Sequence, residues 1–202
     1  MSLQPLIALV VVTLVLSAGA ITYGAMHNVR TLAVAAAVAF AIAVILVTGR
    51  VNRPHWTAHE GDRPDRTLFH AMRRNTRLAA LVYAWAALSF YAVYGLSGVK
   101  WQHGFQYGTA AALIAGGLLY YVHRMGEPGR DVAPPRALTV LHGLAVAGGL
   151  VFLIASGKLA TLKGDWPANY IFLFGGLTLV SLCAISYRTQ ARLERSISPP
   201  AA

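Results

Sequence analysis

The sequence predicts an all-α integral membrane bundle of six transmembrane helices, arranged as three hairpins with both termini cytoplasmic. Three observations lead there. Of the 202 residues, 56% are hydrophobic and only 12% are charged, where an ordinary soluble domain carries roughly 25% charge. The apolar residues gather into runs of about 20, the length that crosses a hydrocarbon core ~30 Å thick. All seven acidic and all seventeen basic residues lie outside those runs, as expected where hydrocarbon excludes charge. The same composition is too apolar for a disordered chain. A single cysteine rules out an internal disulfide framework and a thiolate metal cage.

The first run, Pro5–Met26, reads as a retained helix: residues 1–4 hold no basic residue, and the run is too long for the apolar core of a signal peptide. The second is Thr31–Gly49. Residues 50–77 are rich in Arg, Pro and polar side chains, and Thr67–Arg77 is expected to form a basic amphipathic lead-in to the third run, Leu78–Ser97. The fourth, Phe105–Val122, is the least apolar and opens on Gln106, Tyr107, Gly108 and Thr109. Leu138–Ser156 and Ala168–Tyr187 complete the set. Pro167 falls in the first turn of the last helix, where a missing N–H costs nothing, and Asp165 is placed to cap that turn. The chain thus divides into a first hairpin (1–49), a basic cytoplasmic loop (50–77), a four-helix group (78–187) and a cytoplasmic tail (188–202).

Orientation follows from the basic residues, which collect on the cytoplasmic side of short loops. With six spans, thirteen Lys and Arg fall on the side of the termini and four on the other. Without the fourth helix the split is nine against eight, and the bias vanishes. This placement also accounts for the net charge of +10 without any nucleic acid: basic side chains at cytoplasmic helix ends meet anionic lipid head groups. Arg73, Arg74 and Arg77 are the residues expected at that membrane surface. Trp101, Tyr107, Trp166 and Tyr170 fit the aromatic belt of the opposite interface. The expected location is the bacterial inner membrane.

In lipid, helices associate by close backbone approach through small residues rather than by burying leucine. Ala33, Ala37 and Ala41 offer such a face on the second helix, Gly108, Ala112 and Gly116 on the fourth, and Ala145 and Gly149 on the fifth, with Ala20 and Gly24 on the first. Gly116 is expected at a close helix contact, and Leu118 toward lipid. The faces serve packing within the bundle, or docking of another membrane subunit or of a second copy.

Candidate chemistry is sparse. His142 is the clear ionisable residue inside a span, and His123 closes the fourth helix on the same side. Two imidazoles at similar depth are a possible axial pair for haem b, with Gly116 and Gly149 leaving room for the macrocycle; the bland alternative is a hydrogen-bonded structural histidine. His55 and His59, four residues apart in the loop, have a spacing that holds a metal on a helix, but Gly61 and Pro64 oppose helix there. Gly95-Leu96-Ser97-Gly98 contains a serine, but it sits at the opposite membrane face from His142, out of reach of a general base. Tyr83, Phe90 and Tyr94 share a face of the third helix and read as packing rather than as a quinone pocket. Cys183 reads as a small core residue. The sequence therefore favours a non-catalytic polytopic membrane subunit or assembly protein, acting through small-residue faces and a basic loop. The alternatives are a redox anchor binding haem b or quinone through His123 and His142 and, more weakly, an oligomeric small-solute transporter.

Overall fold

The computed structural model describes residues 3–52, 64–97, 101–124, 135–160 and 166–197. They form six helices: α1 Leu3–Met26, α2 Arg30–Asn52, α3 Pro64–Ser97, α4 Trp101–Arg124, α5 Pro135–Ala160 and α6 Trp166–Ile197. Four of these, α1, α2, α3 and α6, are long and apolar enough to cross a membrane. Prolines at the first or second position of α3, α5 and α6 supply a preset φ where no intrahelical N–H bond is lost. The lead-in expected at Thr67–Arg77 is continuous with α3, which begins at Pro64, and α6 continues ten residues past Tyr187. Asp165 lies outside the described residues.

The α1–α2 turn shows how short the connections are. Asn28 takes φ 55°, the left-handed region that Asn tolerates better than most residues. The carbonyl of Gly24 accepts from the N–H of Val29 at 2.8 Å, which closes the C-terminus of α1 as in a Schellman cap. A Cβ added to Gly24 would stand 2.8 Å from the Val29 oxygen and 3.3 Å from Ala33 Cβ, so this position needs glycine for the hairpin to close.

At the centre, α3 packs against all five other helices, most extensively against α4. Around it, α1 lies on α2, α2 on α6, and α6 on α5. The joints follow small residues and aromatic rings. Gly149 meets Leu179 and Gly176 at the α5–α6 crossing. Gly148 lies under the Tyr83 hydroxyl, where any Cβ would overlap it. Trp85 of α3 stacks on Phe40 of α2 at 4.8 Å and 16°, and its indole N–H donates to Ser17 Oγ of α1 at 2.6 Å. Three helices thus meet at one fully buried side chain. Phe90, Tyr107, Phe152 and Phe172 form a further aromatic cluster joining α3, α4, α5 and α6.

Four threonine hydroxyls inside the bundle bond to their own helix. Thr22, Thr48, Thr178 and Thr189 each donate to the carbonyl four residues earlier, at 2.6–3.0 Å. That satisfies a polar atom where no water competes.

Candidate functional site

Two regions carry polar chemistry that packing alone does not absorb: the arginine-bearing end of α3 and the outward side of α4.

At the first, the C-termini of α2 and α4 come beside the N-terminal half of α3. Asn52 and Asn75, 1% and 2% exposed, pair through reciprocal amide bonds of 3.1 and 3.2 Å. Asn52 Nδ2 also donates to the Thr48 carbonyl at 2.7 Å. Arg73 Nε donates to the carbonyl of Val122 at 3.2 Å. That oxygen belongs to the last turn of α4, where carbonyls have no intrahelical partner and the helix end carries partial negative charge. A cation there satisfies both. Arg74 and Arg77 stand on the same side of α3 and border an apolar cleft with Val47, Val51 and Leu119. All three arginines are half-buried, with their stems along apolar surface in the manner of snorkelling side chains.

At the second, the side of α4 that meets α3 consists of Gly104, Gly108, Ala111, Ala115, Leu118 and Val122, all buried. A Cβ on Gly108 would stand 3.0 Å from the Tyr91 ring, whose hydroxyl bonds Thr109 Oγ1 at 2.7 Å. Ala112 and Gly116 lie on the opposite, exposed side, and an added Cβ at Gly116 would meet nothing within 4 Å. The expectation that Gly116 sits at a close contact and Leu118 toward lipid is reversed: Leu118 is 6% exposed. Gln102, His103, Gln106, Ala110 and Gly117 are exposed as well, interleaved with the large apolar Phe105, Leu113, Ile114, Leu119 and Tyr120.

On the other helices Ala33, Ala37, Ala145 and Gly149 are buried, and Ala41 is half-buried. Tyr83, Phe90, Tyr94 and Cys183 are buried in the core. His123 is exposed on the last turn of α4. His142 lies on α5, its side chain outside the described residues. Helix α4 packs along α3, and α5 along α6 and more lightly along α3, so the two histidine-bearing helices are not packed along one another. Gly116 faces outward, and the space beside Gly149 is taken by α6. The described residues do not bring His123 beside α5. His55 and His59 lie outside the described residues. Among those described, no group of three or more His, Cys, Asp or Glu is placed to hold a metal.

The Asn52–Asn75 pair, the Trp85–Ser17 bond and the Arg73 cap were not anticipated from sequence. A signal existed for the first: each asparagine lies near one end of the 50–77 segment, three residues from an apolar run. No protein-family model matches the chain, and no curated protein or solved structure is significantly similar to it.

Proposed function

We propose that the chain is a non-catalytic integral membrane subunit. In this reading all six helices span the cytoplasmic membrane, both termini face the cytoplasm, and another membrane helix docks on the outward side of α4. The observation that carries it is the composition of that side. Small residues, Ala110, Ala112, Gly116 and Gly117, and the amide of Gln106 are exposed there, interleaved with the large apolar Phe105, Leu113 and Tyr120. In lipid an uncovered amide is costly, and small residues give a lipid-facing helix nothing, whereas both are favourable against a second helix. Helix α4 is also the peripheral one, resting chiefly on α3.

The test is disulfide crosslinking in native membranes, in a Cys183→Ser background so that introduced thiols stand alone. Ala112→Cys and Gly116→Cys should give a crosslinked species, either a dimer of this chain or an adduct with a second protein. Leu144→Cys, on the exposed side of α5, should give none. Absence of crosslinks at both α4 positions, or equal crosslinking at Leu144, would overturn the docking face.

A further inference from the structure

The cleft beside the α3 arginines has a volume of about 130 Å³. Leu78 and Leu81 of α3 line it, together with Val47 and Val51 of α2 and Leu119 of α4. Arg74 and Arg77 contribute only carbon to its wall, so their charged ends stand outside it. Positions 74, 77, 78 and 81 recur at helical spacing and form one stripe of α3. The cleft therefore runs about 10 Å along the helix from the arginine level toward the middle of the bundle. Its size is close to the ~150 Å³ apolar cavity that admits a benzene ring, enough for a few methylenes.

Charge and shape select one kind of occupant. Arg77 is half-buried and has the like charges of Arg73 and Arg74 near it, and a counter-anion at the rim offsets both the burial and the repulsion. A free phosphate would meet the positive charge and leave the apolar cleft unused. A zwitterionic lipid would bring its own cation toward three arginines. An anionic glycerophospholipid matches both parts, with its phosphate above and its acyl chain below. We propose that this cleft is a binding site for one such lipid, the phosphate held by Arg74 and Arg77 and the first methylenes of an acyl chain lying against Leu78, Leu81 and Leu119. The site is read on the isolated chain, so it stands or falls independently of docking at α4.

The test is lipid binding by the full chain purified in mild detergent, with phosphatidylglycerol as the probe and phosphatidylcholine of the same acyl chains as comparison. Phosphatidylglycerol should bind more tightly. Arg74→Gln combined with Arg77→Gln should weaken it about thirtyfold, roughly fivefold for each lost guanidinium. Leu81→Trp should displace the acyl chain and weaken binding with every arginine in place, whereas Arg188→Gln, exposed on the same end of α6, should change nothing. Equal affinity for the two lipids, less than threefold loss in the arginine pair, or an equal loss in Arg188→Gln would overturn the site. So would full displacement by millimolar inorganic phosphate, which would mark an anion site without the cleft. If Leu81→Trp does not fold, the lipid comparison and the arginine pair still decide.

Discussion

Trp85 is the residue through which α1, α2 and α3 register against one another. Its stacking on Phe40 sets the α2–α3 distance, and its N–H to Ser17 sets the depth of α1. Hydrogen bonds between membrane helices contribute about 0.6 kcal/mol on average and up to about 1.7 kcal/mol. With a short, fully buried bond, Trp85→Phe should cost about 1 kcal/mol, read as a lower melting temperature in detergent. A double-mutant cycle with Ser17→Ala should return most of that as coupling. The Asn52–Asn75 pair behaves differently because both partners are buried polar groups. Asn75→Leu strands the Asn52 amide oxygen and should cost about 1–3 kcal/mol, while changing both to Leu should cost less than that single change. Ser89 is the opposite case. It is fully buried, and its hydroxyl has no hydrogen-bond partner among the described residues. Ser89→Ala should therefore leave thermal stability unchanged or raise it slightly, since nothing is lost with the hydroxyl.

At the scale of the element, α4 shows what the sequence made legible and what it did not. Its existence was readable from the apolar run Phe105–Val122, although the helix extends beyond it at both ends, Trp101–Arg124. Its face was not. Reading small residues every four positions, Gly108 to Ala112 to Gly116, drifts about 40° per step on a helix of 3.6 residues per turn. The buried stripe instead alternates steps of four and three, through Gly104, Gly108, Ala111, Ala115, Leu118 and Val122. The same drift leaves Ala41 half-buried, while the α2 stripe passes from Ala33 and Ala37 to Phe40, Val44 and Val47. Gly116→Ile should accordingly leave the melting temperature of the detergent-purified chain nearly unchanged, yet abolish crosslinking through Ala112→Cys. Gly108→Leu should destabilise the chain itself by about 1–3 kcal/mol through overpacking against Tyr91. Equal melting temperatures for the two variants would refute this register.

For the whole molecule, the four long apolar helices α1, α2, α3 and α6 follow from apolar length, a property each segment carries alone. Neighbour relations do not, because they depend on pairs of faces, and lipid-like surfaces look alike whichever partner they meet. Hence α4 and α5, consecutive in sequence and expected to hold His123 and His142 together, each pack elsewhere. The orientation proposed from the basic residues is open to a direct measurement. A cytoplasm-active reporter fused after residue 202 should work, and one inserted between α3 and α4 at residue 99 should not. The reverse pattern would invert the bundle.

The contact between α2 and α6 also has a consequence for biogenesis. Of the described helices, α2 lies in the earliest hairpin and α6 in the latest, so α3 cannot be enclosed until α6 is synthesised. A chain halted after α4 would hold Trp85 and Phe40 in place but leave the α6-facing flank of α2 open to lipid and to quality-control proteases. Nascent chains should therefore become protease-resistant in one late step, when residue 197 has cleared the translocon, rather than hairpin by hairpin.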